Sequence, residues 1–226
     1  MATLEDYLGS LVSSWHALLD HWPGADVVEA TGWVATRCPD PVFTNGLLLD
    51  PAALPELRTH LSDAATYAVW TLAEDTGRAA LAAGLVADEV TVPMVLDLTA
   101  SGAPTGRALA EPPDPDGDPA ALEALNGLAP GTLTRAHPQQ VYLTADGAAG
   151  LSLLGAGEHR NLSMVVTRPD RRRRGLASGL IAAALGDLAG QGVRTVGLQA
   201  TPDGLGVYAR LGFVPVGRIQ EWVPPA

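Results

Sequence analysis

The chain has 226 residues, 47% of them hydrophobic, which is enough apolar surface to bury a core in one large domain or two small ones. No apolar run approaches the ~20 residues of a membrane-spanning helix, and the acidic start MATLEDYLGS lacks the basic region of a secretory leader, so a cytoplasmic protein with no membrane partner is expected. The formal charge of −11 argues against general nucleic-acid binding, which needs cations clustered over a broad face.

Charge is spread unevenly. Residues 1–105 hold three arginines against fourteen acids, whereas residues 106–226 hold eleven of each, and lysine is absent throughout. The two halves are therefore expected to do different jobs. Cys38 is the only cysteine, so neither an internal disulfide nor a metal site is expected, and the thiol reads as a small hydrophobe.

In chain order, Leu4, Tyr7, Leu8, Leu11, Trp15, Leu18 and Leu19 recur at helical spacing until His21-Trp22-Pro23-Gly24 stops the run. Strands are expected over 27–38 and 42–49 around the Pro39-Asp40-Pro41 turn, then a helix over 52–61 and a strand over 67–73. A short alanine-rich helix over 77–85 and a strand over 91–98 complete a mixed α/β half. The stretch SGAPTGRALAEPPDPDGDP (101–119) holds little that could be buried and reads as a linker or long exposed loop. Beyond it come a helix over 120–128, a hairpin of strands 140–144 and 150–154, and a strand over 162–167. Trp15, Trp22, Trp33 and Trp70 are core candidates.

The strand over 162–167 runs into Arg168-Pro169-Asp170-Arg171-Arg172-Arg173-Arg174-Gly175-Leu176-Ala177-Ser178-Gly179, after which apolar residues recur at Leu180, Ile181, Ala184, Leu185 and Leu188. A loop that opens a helix presents unpaired N–H groups at the positive end of the helix dipole, and small side chains there let an anion approach. The arginines add charge that can pair with phosphate oxygens. A pyrophosphate-bearing ligand suits such a loop. The nucleotide triphosphatase pattern G-x-x-x-x-G-K-[ST] is missing, and Gly204-x-Gly206-x-x-Ala209, which formally fits a dinucleotide fingerprint, leaves no room for a βαβ unit after it.

Arg172-Arg173-Arg174-Gly175-Leu176-Ala177 fits [R/Q]-x-x-G-x-[G/A] between a strand and a helix, and Tyr208-Ala209-Arg210-Leu211-Gly212-Phe213 adds a tyrosine followed by L-G-F. With both motifs in order, roughly residues 120–226 resemble the GNAT family of acyl-CoA N-acyltransferases. The resemblance implies an α/β (α+β) fold with a central mixed, mostly antiparallel sheet flanked by helices and splayed between its fourth and fifth strands. Residues 69–98 resemble the end of a related domain without a phosphate loop. A degenerate GNAT-like copy is therefore expected over 1–105, a linker over 106–119 and the acyl-CoA domain over 120–226.

The resemblance also implies the chemistry: transfer of an acetyl group from acetyl-CoA, or another acyl-CoA, to a primary amine of a small molecule by direct attack. Main-chain groups of Val165, Val166 and Thr167 would bind the acyl-pantetheine arm, and an amide there could polarise the thioester carbonyl. Arg172, Arg173, Arg174, Gly175, Leu176, Ala177 and Ser178 would hold the pyrophosphate. Thr201 stands where the family often has asparagine, which alters the pantetheine contact. Tyr208 would protonate the leaving thiolate, which its ordinary pKa near ~10 permits. Glu158 or His159 is the candidate base, directly or through water, and alternation places Ser163 toward the acceptor pocket or in a satisfied buried bond. Two other readings stay open: a non-catalytic coenzyme A-binding protein, or an enzyme whose donor is a carrier-protein thioester or an aminoacyl-tRNA, the last disfavoured by the acidic balance. A homodimer is retained as a possible assembly.

Overall fold

The computed structural model of the chain describes residues 2–64, 66–135 and 140–225. Its helices are α1 (Leu4–Leu19), α2 (Leu54–Leu61), α3 (Glu74–Ala82), α4 (Leu98–Ser101), α5 (Pro119–Asn126), α6 (Leu176–Gly190) and α7 (Leu205–Arg210). Its strands are β1 (Asp26–Ala30), β2 (Trp33–Arg37), β3 (Asn45–Leu48), β4 (Ala68–Thr71), β5 (Val86–Asp97), β6 (Gln140–Leu143), β7 (Ala149–Leu154), β8 (His159–Thr167), β9 (Thr195–Ala200), β10 (Val214–Pro215) and β11 (Ile219–Val223).

Two compact units divide the chain, and the boundary differs from the one composition suggests. One unit joins Met1–Leu18 to Pro93–Val216, and the other joins Leu19–Val92 to Gly217–Ala226. The reason is pairing. Helix α1 lies against β9, where Gln199 Nε2 donates to the Tyr7 hydroxyl (2.8 Å), while β11 pairs antiparallel with β4. After α7 the chain accordingly forms two strands, with β10 on Met94 and Val95 of β5 and β11 on β4.

The stretch expected as a linker or long exposed loop is mostly exposed, and part of it lies along the sheet. Asp114 exchanges both backbone hydrogen bonds with Leu143 (2.9 and 3.0 Å), and Gly117 N–H donates to the Val141 carbonyl (2.9 Å), so this stretch lines the edge of β6. Asp118 then caps α5 through the Ala120 N–H, Pro119 occupies the first turn, and left-handed Gly127 ends the helix.

In the second unit the strands run β1-β2-β3-β4-β11 and on to the first part of β5, with β3 and β4 parallel. Trp33, Leu48, Leu57, Leu61, Val69, Leu85 and Trp222 form its core against α2 and α3. In the first unit the order is β5-β9-β8-β7-β6, with β8 and β9 parallel. Helices cover both faces of this sheet. Tyr142 of β6 reaches Asp187 of α6 (2.8 Å), whereas Gly150 of β7, one residue before Tyr142's partner Leu151, faces Leu122 of α5.

The two halves repeat one order of elements. Helix, three strands, helix, strand, helix, strand describes α1-β1-β2-β3-α2-β4-α3-β5, and the same order runs from α5 to the final strands. In each, the third and fourth strands are parallel neighbours joined by a helix. They differ at that junction. All four residues of β3 pair with β4, from Asn45↔Ala68 to Leu48↔Thr71, whereas β8 pairs with β9 only from His159↔Thr195 to Asn161↔Gly197.

Candidate active site at the split between two parallel strands

Past Asn161 and Gly197, β8 and β9 part, and residues 162–167 keep only β7 as a partner strand among the described residues. Main-chain groups on that edge are therefore presented to a gap, and a buried backbone group left unpaired is costly unless something meets it. Ser163 to Thr167 are half-buried, as an edge of this kind should be. A bulge lies in the middle of it. Gly150 pairs with Val166 and Ser152 with Ser163, so β8 holds one extra residue, and Met164 takes a left-handed φ of 54°. Asn126 Nδ2 of α5 donates to the Met164 carbonyl (3.3 Å) and props the bulge. Its effect is to re-aim Val165, Val166 and Thr167 just before the arginine loop.

That loop closes at the open end of the gap. Arg173 (φ 60°) and Gly175 (φ 80°) are both left-handed, and no side chain caps α6. The N–H groups of Leu176, Ala177 and Ser178 have no partner among the described residues, and Ser178 Oγ instead donates to the Gly175 carbonyl (2.9 Å). An uncapped first turn with three free donors is a ready anion cradle. The guanidinium groups divide by task. Arg168 forks onto Asp170 (3.2 and 3.0 Å) and Arg171 pairs with Asp146. Arg172 Nε donates to the Thr167 carbonyl (3.2 Å) and Arg174 to the Asp170 carbonyl (3.4 Å), holding the loop in shape. Arg173 has no partner among the described residues.

Parallel strands put their C-terminal ends on the same side, so the turn after β9 stands at the same open end as the loop. Thr201 is exposed there, with its carbonyl accepting from Gly204 and Leu205. Tyr208 follows on α7, edge-on to Phe213 at 6.0 Å, and is only 9% exposed. Burial pushes its phenol up to about 12. Its ring is buried, and its hydroxyl makes no hydrogen bond to any described residue.

The remaining candidates lie elsewhere. Glu158 is exposed and its carbonyl accepts from Arg194 and Thr195, which puts it at the closed end of the β8/β9 pair. Strand β8 begins at His159, whose Nδ1 is 2.6 Å from Thr195 Oγ1, so both base candidates stand roughly 26 Å of strand away from Thr167. Glu158 is thus not brought together with the loop and Tyr208. Ser163 lies on the helix α5 face, where its hydroxyl donates to Asn161 Oδ1 (2.7 Å).

Two features escaped the sequence reading. Glu123 is buried, and although burial pushes its carboxyl up, the N–H groups of Gly131, Leu133 and Thr134 hold it below its usual range. That carboxylate organises the turn after α5. The second is the fit of α1 to β9: a Cβ on Gly197 would stand 2.0 Å from Ser10 Oγ, at the last residue before the strands part. Among the described residues no group of three His, Cys, Asp or Glu side chains could hold a metal, and no helix is long and apolar enough to cross a membrane.

Residues 131–222 match the family model of the acetyltransferase (GNAT) domain. No curated protein matches the sequence. Among solved structures, a GCN5-related N-acetyltransferase from Kribbella flavida superposes over 100% of this chain and 97% of its own, with a TM-score of 0.74 at 15% identity. An acetyltransferase of the GNAT family from Novosphingobium aromaticivorans covers 97% of this chain and 95% of its own (TM-score 0.60, 19% identity). A tandem GNAT protein from the clavulanic acid biosynthesis pathway covers 98% and 88% (TM-score 0.55, 19% identity). These likenesses are of fold.

Proposed function

From a chain that carries a domain of the GNAT superfamily over residues 131–222, we propose an acyl-CoA-dependent N-acyltransferase, in its simplest form an N-acetyltransferase acting on a primary amine of a small molecule. The observation that carries this reading is the early parting of β8 and β9, with an uncapped, arginine-bracketed helix start and an unengaged buried tyrosine at its open end. A pantetheine arm can complete the unpaired edge of Val165, Val166 and Thr167 as an added strand would, and its pyrophosphate can lie on the free N–H groups of Leu176 to Ser178.

An edge amide within hydrogen-bond reach of the thioester carbonyl stabilises the oxyanion that forms when the neutral amine attacks. Collapse breaks the C–S bond, the thiolate takes a proton from Tyr208, and the surplus proton on the acylated nitrogen leaves to solvent, from which the phenolate is reprotonated. Burial keeps this phenol protonated at neutral pH and no described residue engages its hydroxyl; because the raised pKa makes it a weaker acid than a free phenol, the proton moves together with C–S cleavage. The acidic balance of the chain raises the local concentration of cations, which suits an acceptor that carries further positive charge.

A panel of polyamines, aminoglycoside-like compounds and basic amino acids offered with acetyl-CoA tests this, read as amine-dependent thiol release. The expected result is turnover with at least one amine, lost in Tyr208→Phe. The position of Glu158 at the closed end favours a second reading, a coenzyme A-binding protein without transfer. Tight binding of acetyl-CoA with no thiol release for any amine would establish that second reading.

A further inference from the structure

We propose that Arg107, from the stretch that composition marks as a linker, is a phosphate-binding residue of the acyl-CoA site; this rests on the reading just given. The stretch is interlocked with the first turn of α6 at three glycines. A Cβ on Gly106 would stand 2.4 Å from the Ser178 carbonyl oxygen and 2.6 Å from Ala182 Cβ. One on Gly179 would stand 2.5 Å from the Arg107 carbonyl oxygen. One on Gly175 would stand 2.5 Å from Arg107 Cδ. The first and second contacts are with backbone and need glycine, so residues 106–109 are fixed across the helix start, and the third lays the Arg107 side chain over the left-handed residue that opens the anion cradle.

The state of the other cations makes Arg107 informative. Arg168 and Arg171 are paired with carboxylates, and Arg172 and Arg174 are bonded to loop carbonyls. Around this cradle, Arg107 and Arg173 alone have guanidinium groups with no partner among the described residues, and Arg107 is exposed while its stem is held. A guanidinium that is anchored by its stem and unpaired at its head can fork onto phosphate oxygens with little further ordering. The rest of the family motif contributes N–H groups, which are neutral; Arg107 and Arg173 would supply the balancing charge from the two sides of the loop.

The test compares acetyl-CoA with S-acetylpantetheine, which has the same thioester and no diphosphate, in binding titrations of the full chain. Arg107→Met keeps the alkyl stem on Gly175 and removes the charge, and Arg107→Lys restores the charge without the fork. Wild type should bind acetyl-CoA far more tightly than S-acetylpantetheine. Arg107→Met should weaken acetyl-CoA by about tenfold, a loss expected for a charge-assisted bond, leave S-acetylpantetheine unchanged, and be partly repaired by Arg107→Lys. Acetyl-CoA binding equal to wild type in Arg107→Met, or an equal loss for both donors, overturns the proposal and leaves the loop as the anion site. Wild type binding both donors equally overturns the loop assignment itself, and Arg107 with it.

Discussion

Tyr208 joins burial to a hydroxyl without an internal partner, and its phenol, raised to about 12, cannot ionise in the working range. Tyr208→Phe should therefore lower kcat by roughly 10²–10⁴, the usual contribution of a proton-transfer group, with the KM for acetyl-CoA little changed. Wild-type kcat should show no alkaline fall attributable to this group below about pH 10. Glu158→Gln, at the closed end of the strand pair, should leave kcat within about twofold, since an exposed side chain so far along β8 touches nothing in the gap. His60 provides a separate pH prediction. Its Nε2 is 3.5 Å from Asp26 Oδ1, its ring is 5.3 Å from that of Trp33, and Arg37 and Asp63 complete the surroundings. Burial lowers the His60 pKa, Asp26 opposes this and Arg37 adds to it. The unfolded chain, with its histidine at 6.5, then binds more protons than the folded one just below that pH. Stability should drop as pH falls below about 6.5, and denaturant unfolding of His60→Asn should show a shallower slope there. At this scale the placing of the arginine loop ahead of a helix start and of Tyr208 on a short helix was legible, because each lies in a short contiguous pattern. The distance of Glu158 from the loop was not legible, because it depends on Thr195, thirty-seven residues on, which fixes where β8 begins.

The early parting of β8 and β9 is an element-scale property with two visible supports. Asn126 of α5 holds the Met164 bulge from one side, and α1 meets β9 so closely at Gly197 that only glycine fits beneath Ser10. Gly197→Ala should cost about 1–3 kcal/mol by overpacking, measured by denaturant unfolding. Ser10→Gly should recover most of it, because the clash is with that side chain alone at short range. If the double variant is no more stable than Gly197→Ala, α1 does not meet β9 as described. Helix periodicity made α1 legible, and the serines Ser10 and Ser14 bond back to the Tyr7 and Leu11 carbonyls, so they sit in an apolar face without cost to the pattern. The bulge was not legible, since no proline or glycine marks residues 162–167 and the extra residue appears only against β7.

At the scale of the molecule, one order of elements occurs twice, and only one copy has the opening. In the second unit β3 and β4 pair along their whole length, and Leu57 Cδ1 would lie 2.5 Å from a Cβ on Gly46, so helix α2 is pressed onto the strand that corresponds to β8. No strand-like arm can enter there. The repeat could be sensed in the sequence because strand, helix and strand recur before residue 98. The joining of β11 to β4 and of α1 to β9 was hidden, because long-range pairing leaves no local mark. Calorimetric titration of the full chain with acetyl-CoA tests the account most directly. It predicts saturation at one equivalent per chain, and loss of that binding when Gly175→Asp sets a carboxylate in the anion cradle. Two equivalents, or binding that persists in Gly175→Asp, would contradict it.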